Sequence, residues 1–115
     1  MNFRETGIMP RGKRGGTPPN DRSDKAVGKR QKLLRLAFGK TQEDIAKLVG
    51  VSLSMISRCE SGGTRLGVDH MLTLLIEFDV PLEYLYLGWK RHLSNDLRRK
   101  LDQVSELDDG KPSSS

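Results

Sequence analysis

The feature that most constrains this chain is a series of short apolar runs, each at helical spacing and each closed by a residue that ends helices. In the first run, Val27, Leu34 and Phe38 lie on one side of a helix that Gly39 ends. No run shows the alternation of apolar and polar residues that a half-buried strand requires. The sequence therefore predicts an all-α domain of five helices over residues 27–88.

The fourth and fifth helices are predicted on either side of Asp79, which stands where a left-handed residue ends a helix. Aspartate tolerates that conformation better than most residues other than glycine. Pro81 is compatible with the first turn of the fifth helix. The apolar side chains expected to face inward from these two helices are Val68, Met71, Leu72, Leu75, Phe78, Leu82, Leu85 and Tyr86.

Residues 41–61 predict two short helices joined by a tight turn. Thr41 and Ser52 are expected N-caps, and Gly50 stands where the chain turns sharply. The side chains that lock the two helices together are expected to be Ile45, Leu48, Val51 and Ile56. The outer face of the second helix is then Leu53, Ser54, Ser57 and Arg58. Such a pair suits DNA, since one helix fits the major groove and the other braces it across the backbone.

Composition excludes several other classes of protein. The net charge of +5 favours a polyanionic partner. No stretch approaches the roughly 20 apolar residues of a membrane span, and no secretory signal is visible. Cys59 is the single cysteine, so no internal disulfide or zinc finger is expected, and the predicted location is cytoplasmic and nucleoid-associated. As a neighbour of Ile56 on the inward face, Cys59 is interpreted as a small apolar residue rather than a redox switch.

Nothing in the sequence indicates catalysis. There is no nucleophile–base pair, no paired carboxylates in a pocket-forming context and no metal-ligand cluster. His70 and His92 lie far apart in the chain without a suitably spaced third ligand. We therefore expect neither an enzyme nor a metal or other cofactor.

The two ends differ from the central domain. Residues 1–26 are expected to be a disordered basic arm, in which Arg11, Lys13 and Arg14 either enter a DNA groove or only aid solubility. Residues 89–109 predict a further amphipathic helix, and residues 110–115 a disordered tail. The helix either packs back on the domain or forms a dimer seam, which we favour, through Leu93, Leu97, Leu101 and Val104.

The stretch from Thr41 to Gly62 resembles the lambda-repressor-like helix-turn-helix family, also called the Cro or XRE family. The resemblance extends from about Val27 to Gly88, roughly half of the chain. Further positions that match the family are Gly28, Arg30, Arg35, Val80, Leu82 and Leu85. Leu66 and Gly67 depart from the family's usual Pro-Ser, which predicts a less well capped fourth helix.

The resemblance implies a role for each site residue. Leu53, Ser54 and Arg58 occupy base-facing positions of a recognition helix capped by Ser52, and Arg58 is the expected specific reader because a guanidinium pairs with guanine O6 and N7. Arg35 and Glu60 match a semi-buried structural ion pair. Phosphate contacts are expected from backbone amides near Gly62 and from the side chains of Lys40, Gln42, Ser57, Thr64 and Arg65.

The expected function is sequence-specific transcriptional regulation in a bacterium or phage. A homodimer would bind a pseudo-palindromic operator in double-stranded DNA, and repression is the expected effect. The alternative is an antitoxin or other interaction protein whose main partner binds residues 89–109 and whose DNA binding is autoregulatory.

Overall fold

A computed structural model of the protein describes residues 20–110, except for the side chains of residues 109 and 110. The predicted all-α fold is confirmed, because no strand occurs between residues 20 and 110. None of the helices in this range is long and apolar enough to cross a membrane. The six helices are α1 (Asp24–Ala37), α2 (Gln42–Val49), α3 (Leu53–Glu60), α4 (Val68–Phe78), α5 (Leu82–Leu87) and α6 (Asn95–Gly110).

The first helix begins three residues before the expected boundary of the arm. Ser23 is its N-cap, since the Ser23 hydroxyl accepts a hydrogen bond of 3.1 Å from the amide of Ala26. Ala26 and Val27 are already buried in the core. The expectation of a disordered arm over residues 1–26 is therefore corrected for residues 20–26. The rest of the expected arm, residues 1–19, lies outside the described residues, as do residues 111–115 of the expected tail.

The core forms around α1, which packs against α3, α5 and α6, while α2 packs against α3 and α4. Close approach of α1 to α3 depends on Gly28. A Cβ atom at Gly28 would lie 2.1 Å from the carbonyl oxygen of Cys59, which is closer than any real Cβ contact. The two helices therefore meet backbone to backbone, and α3 has no freedom to shift toward α1.

A buried arginine joins α1 to the end of α5. The Arg30 side chain is fully buried, and its Nη1 donates a hydrogen bond of 3.3 Å to the carbonyl of Leu85. Gly88 follows with a φ of +77°, and a Cβ atom there would lie 2.8 Å from Nη2 of Arg30. Burial lowers the pKa of Arg30 from its ordinary value. Glycine is therefore required at position 88 for its backbone conformation and for space.

The inward faces of α4 and α5 differ in part from the prediction. Asp79 ends α4 in the left-handed conformation, with a φ of 54°, as predicted, and Gly67 starts α4 without a side-chain cap. Pro81 is the N-cap of α5 rather than its first residue. Three side chains that were expected to face inward are exposed, namely Val68, Leu72 and Leu82. Two buried ones were not predicted, namely Leu74 and Tyr84.

The last helix, α6, folds back and packs against α1. Its N-cap is Ser94, whose hydroxyl accepts a hydrogen bond of 3.1 Å from the amide of Leu97. Leu93 and Leu101 are buried, and Leu97 and Val104 pack partly buried against the same core. Leu93 and Leu101 are therefore used by the chain's own core, whereas Leu97 and Val104 remain partly exposed. Salt bridges from Lys32 to Asp108 and from Lys90 to Asp102 border this packing.

Candidate DNA interface

The helix-turn-helix unit is defined by local capping. The Thr41 hydroxyl accepts a hydrogen bond of 3.0 Å from the amide of Asp44, and the Asp44 carboxylate accepts one of 2.9 Å from the amide of Thr41. These bonds lower the pKa of Asp44 and complete a capping box at the start of α2. Gly50 ends α2 with a φ of +81°, and the Ser52 hydroxyl caps α3 by accepting from Met55. The turn between α2 and α3 is therefore defined by hydrogen bonds among residues 41–55 alone.

The third helix has one buried and one exposed side. Ile56 and Cys59 lie in the core, and burial raises the pKa of the Cys59 thiol. The apolar role expected of Cys59 fits this position. Four side chains on the opposite side are exposed, namely Leu53, Ser54, Ser57 and Arg58. Half of the surface of Leu53 is exposed at the first residue of the helix.

Glu60 connects α3 to both neighbouring helices. Its Oε2 accepts a hydrogen bond of 2.7 Å from Nε of Arg35, and its Oε1 accepts one of 3.0 Å from Nη2 of the same arginine. The amide of Gln42 also donates to Oε1 over 3.0 Å, so the expected ion pair is one part of a three-residue network. Nη1 of Arg35 donates to the carbonyl of Lys40, which orders the turn before α2. The network fixes α3 with its outer face toward solvent.

Arg65, one of the expected phosphate contacts, is paired within the protein. Nη2 of Arg65 forms a salt bridge of 2.9 Å with Asp24 and donates to the carbonyl of Arg22, and its guanidinium lies 5.9 Å from the ring of Tyr86. In this structure Arg65 therefore joins the loop after α3 to the start of α1. The pair of Arg65 with Asp24 was not predicted, because Asp24 lay within the expected disordered arm. The sequence signal that could have revealed it is Ser23, a good N-cap residue directly before Asp24, which indicates that α1 begins there.

The backbone amides near Gly62 are also used within the loop. The amide of Gly62 donates to the carbonyl of Cys59 and that of Gly63 to the carbonyl of Arg58, over 3.1 and 2.9 Å. Neither amide is then directed at a ligand, which corrects that expectation. Of the remaining predicted phosphate contacts, Lys40 is exposed in the turn before α2, and Thr64 is half-buried after α3.

The described residues contain no cluster of three or more histidine, cysteine or acidic side chains that fits a metal ion. His92 is paired through Nδ1 with the carboxylate of Glu83 in the α5–α6 region. His70 is half-buried on α4.

Comparisons with known proteins agree with the fold. The helix-turn-helix family profile matches residues 31–85. The restriction-modification controller protein C.AhdI from Aeromonas hydrophila is similar, with 28% identity, a TM-score of 0.51, and coverage of 55% of this chain and 96% of that one. A transcriptional regulator from Listeria innocua has a similar fold, with 23% identity, a TM-score of 0.51, and coverage of 69% of this chain and 73% of that one. No curated protein sequence matches significantly. Residues 31–85 are therefore similar to the Cro/C1-type helix-turn-helix family, and the similarity to the C.AhdI controller protein agrees with this.

Proposed function

We propose that this protein represses transcription by binding as a dimer to a pseudo-palindromic operator, with one α3 in the major groove of each half-site. The observation that carries the proposal is the exposed face of α3, formed by Leu53, Ser54, Ser57 and Arg58, on a helix fixed by the Glu60 network. A fixed helix with exposed polar side chains would present them to base edges in one orientation, as direct readout requires.

Each side chain of this face has a proposed role. Arg58 reads guanine, because its guanidinium offers two parallel donors to O6 and N7. Leu53 contacts a thymine methyl group at the tip of the helix. Ser54 is short, and its hydroxyl lies 3.2 Å from that of Ser52, so it adds little discrimination between bases.

Contacts to phosphate position the dimer without selecting sequence. Lys40, Ser57 and Thr64 are the proposed contacts, and Gln42 is proposed to bridge a phosphate and the end of α3 because its amide already bonds Glu60. Repression would then be steric, since a dimer bound over a promoter excludes polymerase. That the similar C.AhdI is a restriction-modification controller protein supports a regulatory role.

The test is selection of bound duplexes from sheared host DNA by the purified protein at near-physiological salt, followed by sequencing. Enrichment of a two-fold motif with half-sites about one helical turn apart is the expected result. On the selected site, the logarithm of the association constant should fall linearly with the logarithm of salt concentration. Uniform recovery of all sequences, or affinity independent of salt, would contradict the proposal.

A further inference from the structure

A cleft lies where the start of α6 passes the ends of α1 and α4. Its volume is about 360 Å³, within the range of small-molecule sites. One wall is formed by α6 and the turn before it, which follow the part of the chain matched by the family profile, residues 31–85. The cleft is therefore a feature of how this chain adds α6 to the helix-turn-helix domain. Its apolar lining consists of Ala37, Phe38, Phe78, Leu93 and Leu97.

Two stacked rings form the apolar floor of the cleft. The ring centroids of Phe38 and Phe78 lie 4.4 Å apart, with an angle of 14° between the ring planes. Phe78 is buried in the core, whereas Phe38, directly after α1, is 39% exposed. An exposed ring offers a flat apolar surface on which another ring can stack or lie edge to face. The floor therefore favours a ligand with an aromatic group.

The α4 side of the cleft carries negative charge. Asp79 lines the cleft, and its carboxylate has no cationic partner among residues 20–110. The last residues of α1 and α4, Ala37 and Phe78, lie at the same side, and the carbonyl groups at a helix C-terminus carry partial negative charge. His92 also lines the cleft, but its Nδ1 is paired with Glu83 instead. This side therefore suits an ammonium group.

The α6 side of the cleft carries positive charge. Nζ of Lys100, which lines the cleft, lies 3.7 Å from Asp96, and Nη2 of Arg99 lies 3.3 Å from the same carboxylate. Two cations share one carboxylate, so this group keeps a net positive charge. Helix α6 also begins at the cleft, after Ser94, and the amides of Asn95 and Asp96 donate to no acceptor in the described part of the chain. Unbonded amides at the start of a long helix attract carboxylates.

We propose that this cleft binds a free α-amino acid with an aromatic side chain. The ammonium group pairs with Asp79, the carboxylate faces Lys100 and the start of α6, and the ring lies on Phe38. A simple amine or a simple carboxylate would leave one charged side of the cleft without a partner. A zwitterion with an apolar body satisfies both sides and the floor at once. The inference goes beyond the proposed function and does not depend on DNA binding.

The first test compares three ligands that share one ring and differ in charge. L-phenylalanine carries both charged groups, phenethylamine lacks the carboxylate and phenylpropionate lacks the ammonium group. Each is titrated into the isotopically labelled full chain and followed by heteronuclear NMR. L-phenylalanine should shift the amide signals of residues 37–39, 78–79 and 93–100, with a dissociation constant about fivefold below those of the other two ligands, as expected for one additional partly exposed ion pair.

Two results of this titration would overturn the inference. One is the absence of saturable shifts in these segments with L-phenylalanine up to its solubility limit. The other is an affinity for phenethylamine or phenylpropionate that equals or exceeds the affinity for L-phenylalanine.

The second test removes the charge of each side separately. Asp79→Asn keeps a residue that tolerates the left-handed conformation, and it should weaken L-phenylalanine about fivefold while leaving phenylpropionate unchanged. Lys100→Gln should weaken L-phenylalanine to about the same extent while leaving phenethylamine unchanged. Both residues are exposed, so the melting temperatures of the two variants should stay close to that of the wild type.

Matched controls come from the same two helices. Asp69→Asn on α4 and Arg98→Gln on α6 remove exposed charges that do not line the cleft, and both variants should bind L-phenylalanine as the wild type does. Wild-type affinity for L-phenylalanine in Asp79→Asn or Lys100→Gln, or an equal loss of affinity in the controls, would overturn the assignment of the cleft.

Discussion

Arg35 of α1 donates two hydrogen bonds to the carboxylate of Glu60 at the end of α3, through Nε and Nη2. Only 11% of the Arg35 side chain and 4% of the Glu60 side chain are exposed. Ion pairs of this geometry, largely removed from water, are costly to break on one side only, because the remaining charge is left buried. The pair therefore contributes to folding as well as to the placement of α3.

Arg35→Ala should lower the free energy of unfolding by about 3–5 kcal/mol, since Glu60 then remains buried without its cation. In a domain of this size, each kcal/mol corresponds to about 4–8 °C in melting temperature. The control is Lys47→Ala, which removes the exposed pair of Lys47 with Glu43 at 3.7 Å and should change stability little. Thermal unfolding followed by circular dichroism distinguishes the two. Equal melting temperatures would contradict the structural role of Arg35.

Arg58 and Lys40 should differ in what they do to base preference. Arg58→Ala is expected to cost about 1–3 kcal/mol on the selected operator and to relax preference at one base position. Lys40→Ala should weaken binding to all sequences about equally, because a phosphate contact carries no sequence information. Affinities of both variants for a panel of single-base operator changes provide the measurement. Identical preference profiles for the two variants would show that Arg58 is not the reader.

Gly28→Ala should separate α1 from α3, because the added methyl group would lie 2.1 Å from the Cys59 carbonyl oxygen. Overpacking of this kind costs about 1–3 kcal/mol. The matched control is Gly63→Ala, whose Cβ would make an ordinary contact of 3.5 Å with the Arg58 carbonyl. Urea denaturation should show a lower midpoint for Gly28→Ala only. An unchanged midpoint would mean that the two helices do not meet at Gly28.

The packing of α6 can be tested with two of its leucines. Leu101 is 1% exposed and Leu107 is 71% exposed, so Leu101→Ala should cost about 2–5 kcal/mol and Leu107→Ala within about 0.5 kcal/mol. Denaturant unfolding of the two variants measures the difference. Equal, small losses for both would indicate that α6 is not docked on α1 in solution.

Alkaline pH should destabilise the protein through Tyr84. Burial raises the pKa of Tyr84 well above its ordinary value of about 10. Above that pH the unfolded chain loses the phenolic proton while the folded chain retains it, so the free energy of unfolding falls as pH rises. Tyr84→Phe removes this contribution, and its stability should decline less between about pH 9 and 11 than that of the wild type. Tyr86→Phe, which retains Tyr84, should keep the wild-type slope; an equal decline in all three proteins would contradict the burial argument.

The parts of the fold that depend on local chemistry could be predicted from the sequence. Thr41, Gly50 and Ser52 fix the helix-turn-helix unit through caps and one left-handed residue, and their partners lie within a few positions along the chain. The left-handed conformation of Asp79 at the end of α4 could be predicted as well, because tolerance of that conformation is a property of the aspartate itself.

The parts that depend on distant partners could not be predicted. Helix α4 is apolar on both sides, so periodicity alone did not decide between Leu72 and Leu74 as the buried residue. The sequence of an amphipathic helix does not show which surface covers its apolar side, and in the structure the apolar side of α6 packs on the domain's own core. Arg65 meets Asp24 only because α1 starts early enough to reach it.

The side chains of α3 that stabilise the fold are different from those exposed on its outer face. Ile56 and Cys59 lie in the core and Glu60 holds Arg35, whereas Leu53, Ser54 and Arg58 are exposed. Exchange of the outer residues would leave stability nearly unchanged, because surface substitutions away from caps and buried contacts have small effects. Under the proposed function, such a domain can acquire new target sequences over evolutionary time without passing through unstable intermediates. The same separation would make α3 a practical starting point for engineering altered operator specificity.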